Sequence, residues 1–297
     1  MTDRTHPSLK AWRETRAWLA QAPLGALAEL ACRAGFVSRG LVYLSVGVIA
    51  LLAAAGHVPR AAGAVEALQA WGEWPAGRLL LWLTGLGMYG FAGWRLLQSL
   101  FDADREGSSP GALANRAGQA ISGVVHAALG FAVFSLIDAL GEAREVDDLA
   151  ATKQAVQQVL DWPGGALAIA ACGLFIVAVG MGNLVQAAGK PHRRLVCTRG
   201  IAKLAAGLGR LGHLGRGVAF LPLGLAMFQA GQQASSGPAR GLGGALDALR
   251  AYPFGEGLLA LAGVGLIAFG LFAFLEARYR TLGAAEVVDA MGSPAPA

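Results

Sequence analysis

One pattern occurs three times in this chain, in the same order each time. Its first half reads Arg33-Ala34-Gly35-Phe36-Val37-Ser38-Arg39-Gly40, Arg116-Ala117-Gly118-Gln119-Ala120-Ile121-Ser122-Gly123 and Arg210-Leu211-Gly212-His213-Leu214-Gly215-Arg216-Gly217. An apolar run follows each copy, with a glycine eight residues after its last Arg or Ser: Gly47, Gly130 and Gly224. The second half is an aromatic-Pro-x-Gly step: Trp74-Pro75-Ala76-Gly77, Trp162-Pro163-Gly164-Gly165 and Tyr252-Pro253-Phe254-Gly255. Ten residues after each proline comes another glycine, Gly85, Gly173 or Gly263. A pattern repeated in fixed order implies one structural unit used three times.

Composition then fixes the solvent. Hydrophobic residues make up 55% of the chain, charged residues 14%, and the mean hydropathy is +0.50. A soluble domain carries roughly 25% charged residues, so the chain cannot coat a water-facing surface and reads as a membrane protein. The 43 glycines fall inside long apolar runs, where small residues let lipid-embedded helices approach closely. Cys32, Cys172 and Cys197 are scattered, with no C-x-x-C spacing, which argues against a disulfide framework or a zinc site.

Charge-poor stretches long enough to cross a bilayer, about 20 residues, predict helices near 37–56, 77–99, 117–138, 165–187, 215–234 and 256–276. The expected fold is an all-α membrane protein. Its six transmembrane helices form three parallel two-helix repeats with approximate pseudo-three-fold symmetry. The expected boundaries are an N-terminal segment 1–30, repeats over 31–103, 104–190 and 208–280, a basic loop 191–207 and a tail 281–297. An amphipathic helix over 8–22 is expected to lie on the membrane surface, and residues 292–297 read as disordered. No signal peptide is read at the N-terminus. Of the 24 Lys and Arg, 18 fall on the side that carries both termini, which places that side in the cytoplasm.

The segment before each aromatic-Pro step is amphipathic at helical spacing: Val65, Leu68 and Trp71; Val156, Val159 and Leu160; Leu242, Leu246 and Leu249. Such segments lie on the membrane surface or tuck over the bundle. The step itself marks where the second helix of a unit starts, with its aromatic ring at the headgroup level.

The motif Arg33-x-Gly35-x-x-x-Arg39-Gly40-Leu41-Val42-Tyr43, repeated with a later Pro-x-Gly, resembles the bacterial membrane proteins grouped as the domain of unknown function 1206. The resemblance spans roughly residues 31 to 278 and implies three two-helix repeats in a bacterial inner membrane, with no established activity. The second unit departs from it, having Ser122 for the arginine and His126 for the tyrosine; the third has Phe220 at the tyrosine place.

Repeat equivalence lines up the polar candidates. Arg33, Arg116 and Arg210 are expected to precede the first helix of each unit, and Arg39, Ser122 and Arg216 follow about two turns later. Arg95 and Asn183 are equivalent on the second helices, with Ala273 third. Gln98, Gln186 and Glu276 form the next set, with Glu276 a counter-charge. Together they predict a polar layer at the cytoplasmic helix ends. That layer either binds anionic lipid headgroups or a small anion, or it snorkels and satisfies helix-end carbonyls. His126 and Tyr43 are polar groups deeper in the span; His126 reads as a packed histidine, there being no deep carboxylate for a proton relay. His6, His57, His192 and His213 are expected in loops or at interfaces, so no metal cluster forms. Pro222 sits inside the fifth span, where it could kink the helix. The basic segment Lys190, His192, Arg193, Arg194, Arg199 and Lys203 suits anionic lipid rather than nucleic acid, since no aromatics interleave it. Walker, zincin and G-x-S-x-G motifs are absent, so no cofactor, metal or catalytic residue is expected. The function expected is non-catalytic binding of membrane lipid or a partner. The alternatives are a small channel or transporter and, more remotely, a lipid enzyme with His126 as base.

Overall fold

The computed structural model describes residues 24–142, 147–190, 194–284 and 286–288. The expected helix over 8–22, the 292–297 tail, His6, His192 and Arg193 lie outside them. Six long helices carry the fold: α1 (Leu24–Ala54), α3 (Gly77–Phe101), α4 (Pro110–Gly141), α6 (Gly165–Ala188), α7 (Arg199–Gln232) and α9 (Gly255–Tyr279). Between them lie three shorter ones, α2 (Ala64–Gln69), α5 (Asp148–Leu160) and α8 (Leu242–Ala248). No strand occurs among the described residues beyond an isolated bridge between Leu195 and Arg280.

Five helices, α1, α4, α6, α7 and α9, are long and apolar enough to cross a membrane. The remaining long helix, α3, has 25 residues. Arg78 and Arg95 bracket its apolar stretch, and Trp82, Tyr89 and Trp94 interrupt it.

The first helix of each unit starts earlier than the sequence reading placed it, at Leu24, Pro110 and Arg199 rather than 37, 117 and 215. Treating Arg33, Arg116 and Arg210 as boundaries was the error. Arginine and alanine are strong helix formers, and an arginine at a membrane edge leans its head out while its backbone stays helical. The start of α4 is marked by other residues: Ser109 caps it, its Oγ accepting from the Ala112 N–H at 3.3 Å, and Pro110 occupies the first turn.

The second helices start where expected. The proline of each step lies in a turn just before them, and the glycine is the first helical residue. The Gly77 and Gly165 N–H groups close the turn on the Trp74 and Trp162 carbonyls, both at 2.9 Å. A Cβ at Gly77, Gly165 or Gly255 would strike the Trp71, Val159 or Arg250 carbonyl, so the chain folds back this tightly only with glycine there.

Helix pairing follows the repeat. A Cβ added to Gly47, Gly130 or Gly224 would sit 2.8, 3.2 or 2.8 Å from the carbonyl oxygen of Gly263, Gly85 or Gly173. Equivalent glycines therefore meet where the first helix of one unit crosses the second helix of another: α1 on α9, α4 on α3, α7 on α6. Within units, α1 packs on α3 and α7 on α9, but α4 and α6 do not pack along each other. The helices follow one another in the order α4, α3, α1, α9, α7, α6.

One end of this arrangement is filled. Leu68 of α2 and Leu246 of α8 are fully buried with Val46, Leu81, Met88, Leu136, Leu259 and Leu266. The amphipathic segments thus tuck over the bundle. They are also stitched to one another: Asp247 Oδ1 accepts from the Ala61 N–H at 2.9 Å, and Asp148 Oδ2 from the Glu66 N–H at 3.3 Å. Asp148 is largely buried and its carboxyl is pushed above its ordinary value by desolvation. Asp147 instead caps α5 through the Leu149 and Ala150 N–H groups, and its pKa is lowered by those bonds.

Candidate functional site

The opposite end is basic, and the repeat arginines divide there into two kinds. Arg33 donates to the Ala277 carbonyl at 2.6 Å, Arg116 to those of Ser99 and Leu100 at 2.8 and 3.2 Å, and Arg210 to that of Gly189 at 3.4 Å. Each thus ties itself to the C-terminal carbonyls of the helix its own helix crosses, which a helix leaves unpaired. These three lie within helices, not before them, and their role is capping.

The second kind points inward. Arg39 Cζ lies 4.8 Å from the Phe91 ring centroid and 4.9 Å from that of Phe269. Arg95 shares the Phe91 ring at 5.0 Å, and Arg216 shares the Phe269 ring at 4.4 Å. Phe91 and Phe269 are equivalent in the repeat. The result is a ladder, Arg95, Phe91, Arg39, Phe269, Arg216, with guanidinium and phenyl alternating. Phe36 lies 5.1 Å from Arg39, while Tyr43 and Phe220 lie 5.2 and 4.9 Å from Arg216.

Carboxylates are scarce here. Arg39, 6% exposed, pairs with Glu276, 7% exposed. Glu276 also accepts from Arg280 at 2.7 Å, and Arg280 continues to Asp104 at 3.2 Å. Asp104 pairs with Arg194, which reaches Glu106 at 3.0 Å. Among the described residues, Arg95 has only the Gln98 side-chain oxygen, at 3.0 Å. Arg216 makes no hydrogen bond or ion pair to any described residue, and its Nε is buried without a partner.

The remaining candidates sit around the ladder. His126 bonds the Ser122 carbonyl through Nδ1 at 2.7 Å and packs 4.5 Å from the Phe91 ring. Tyr43, its equivalent, packs 4.9 Å from Phe269. Asn183 stands apart: its Nδ2 donates to the Val179 carbonyl at 2.7 Å, and its Oδ1 meets His213 Nδ1 at 2.9 Å. His213, expected in a loop or at an interface, is instead buried within α7, against Phe269. Pro222 likewise lies inside α7, which continues unbroken past it. The described residues hold no group of His, Cys, Asp and Glu that could ligate a metal.

Sequence reasoning missed the rings and the outer charges. Phe91 and Phe269 stand four residues before Arg95 and Ala273, so the repeat register held a signal for them. Arg280, Asp104 and Arg194 meet from distant loops, and no local spacing marks them.

The chain belongs to the family described as Domain of Unknown Function (DUF1206), whose model matches in three segments, residues 34–102, 117–190 and 211–280. It is similar to the Bacillus subtilis (strain 168) protein called Uncharacterized protein YxxB, with 26% identity over 256 residues, 84% of this chain and 90% of that protein. No solved structure matches it.

Proposed function

We propose that this is a non-catalytic integral membrane protein that holds an anionic lipid headgroup in its basic end. In this reading all six long helices cross the bacterial inner membrane in three parallel pairs around a pseudo-three-fold axis. The basic end and both termini then face the cytoplasm, where anionic headgroups meet Lys and Arg.

The observation that carries the reading is the charge imbalance of the ladder. Three guanidiniums share two rings, while their one carboxylate, Glu276, is shared with a fourth. Desolvating an ion costs several kcal/mol even after relaxation. A cation–π contact returns about 0.5–2 kcal/mol, so rings alone do not offset three cations. A phosphate does, through hydrogen bonds to planar guanidinium forks. The filled apolar end supports holding a ligand over conducting one.

The test is native mass spectrometry on protein extracted from mixed phosphatidylglycerol and phosphatidylcholine membranes. The parent should retain phosphatidylglycerol. Arg216→Gln combined with Arg95→Gln should lose it, while Arg116→Gln, a capping variant, should keep it. Equal retention by the double variant and the parent would refute the reading.

A further inference from the structure

Among the described residues the two long helices of the second unit, α4 and α6, do not pack along each other, and the repeat shows why. In the first unit Ser38 meets Gly87, and a Cβ on Gly35 would lie 2.5 Å from the Phe91 backbone. In the third unit a Cβ on Gly215 would lie 2.5 Å from Gly265, and one on Gly212 2.7 Å from Phe269. The equivalent positions of the second unit hold Ile121 and Phe175, and Gly118 and Val179. Two bulky side chains thus stand where the other units have serine or glycine, and close helix approach needs small residues. A Cβ on Gly118 or Gly182 would meet nothing within 4 Å. The apolar windows of α4 and α6 are the least buried of the five, 22% and 28%, against 50% and 56% for α1 and α9.

This opening lies at the level of the ladder. Ser122, on its α4 side, is the equivalent of Arg39 and Arg216. Two of the three symmetry-related places therefore present a guanidinium, and the third, beside the gap, presents a hydroxyl on a short side chain. His126, one turn on, packs against the Phe91 ring that Arg39 and Arg95 share.

We propose that the cleft between α4 and α6 is the seat of a phospholipid. Its acyl chains lie along Ile121, Val125, Phe175 and Val179, and its phosphate reaches past Ser122 to Arg216 and Arg39. The proposal rests on the headgroup reading above and names its route and its occupant. The occupant follows from continuity: an apolar slot open to the bilayer runs into a cluster of under-neutralised guanidiniums, and an anionic lipid has that order of parts.

Two variants test it in nanodiscs of phosphatidylglycerol and phosphatidylcholine. Ile121→Ser with Phe175→Gly gives the second unit the residues of the first, so α4 and α6 can close. Ser122→Arg fills the third place with a guanidinium. Both should lower phosphatidylglycerol occupancy about tenfold, with Arg216 and Arg95 untouched. Separately, a benzophenone amino acid placed at Phe175 should crosslink mainly phosphatidylglycerol. The same probe at Leu86, on the exposed face of α3, should crosslink the two lipids as the bilayer supplies them.

If the closing variant retains lipid and Phe175 adducts mirror the bilayer, the cleft is overturned while the headgroup reading stands. Lipid absent from the parent overturns both. An adduct of twice the chain's mass would assign the cleft to a second copy and equally overturn the proposal.

Discussion

Arg39 and Arg216 are equivalent in the repeat and share the Phe269 ring, yet they should respond in opposite ways to the same substitution. Arg39→Met removes a buried guanidinium that pairs with Glu276. Breaking a buried pair costs about 3–5 kcal/mol when the partner is stranded. Glu276 is not wholly stranded here, because Arg280 still donates to it at 2.7 Å, so the low end, about 3 kcal/mol, is the expected loss. Arg216→Met strands nothing, since Arg216 has no acceptor among the described residues. It gives up contacts to three rings at 4.4–5.2 Å, about 0.5–2 kcal/mol each. It also relieves a poorly neutralised charge whose desolvation costs several kcal/mol, and methionine fills the slot with a flexible apolar chain. The two effects nearly cancel, so in lipid-free neutral detergent Arg216→Met should unfold within about 1 kcal/mol of the parent. The assay is thermal or denaturant unfolding in that detergent, with and without added phosphatidylglycerol. Added lipid should stabilise the parent and leave Arg216→Met unmoved. Equal destabilisation by the two substitutions in neutral detergent would refute the reasoning, because it would mean that Arg216 has a protein partner comparable to Glu276.

Gly224→Leu should destabilise by about 1–3 kcal/mol or more, because a Cβ there already lies 2.7 Å from the Val177 nitrogen and 2.8 Å from the Gly173 oxygen. Gly182→Leu, in open space, should fall within about 0.5 kcal/mol of the parent; similar unfolding of the two in detergent would break the link between the glycine crossings and assembly. At the capped end, burial raises the Asp148 carboxyl, so the folded state favours its protonated form. Its contribution is then fully present below the ordinary carboxylate range and is lost as pH rises through the raised value. Asp148→Asn keeps an acceptor for the Glu66 N–H and should flatten that fall in unfolding curves across pH 4–7. An unchanged slope would assign it to other groups.

The repeat made much of this legible. It gave the number of long helices, the starts of the second helices, the amphipathic caps and the glycines at the three crossings, because each depends on small or turn-forming residues recurring at fixed spacing. It misplaced the starts of the first helices, since Arg33, Arg116 and Arg210 look like ends to a hydropathy reading although their backbone is helical. It also could not separate the two arginine classes. Whether a guanidinium meets a carbonyl, as Arg116 does, or a ring, as Arg216 does, depends on which helix lies opposite, and that is a non-local fact. The pairing of the outer charges was illegible for the same reason: Arg194, legible only as part of a basic segment, and Arg280 both reach Asp104, 90 and 176 residues away in sequence.

The most informative part of the sequence is where the pattern fails. Three copies of the first unit would place an arginine at each of the equivalent positions 39, 122 and 216, with glutamine rather than a carboxylate at 276, and would close every helix pair with glycine or serine. Such a bundle would hold three cations behind a sealed wall, and the desolvation of each would find no compensation. The second unit breaks both features together: Ser122 stands where the others have arginine, and Ile121 and Phe175 stand where they have serine or glycine. Glu276 breaks the symmetry once more by neutralising Arg39. Among the described residues, what remains is one ladder guanidinium, Arg216, without an acceptor, in a bundle whose α4 and α6 do not pack along each other. Divergence among the copies, in the second unit and at Glu276, is therefore what distinguishes the three helix pairs.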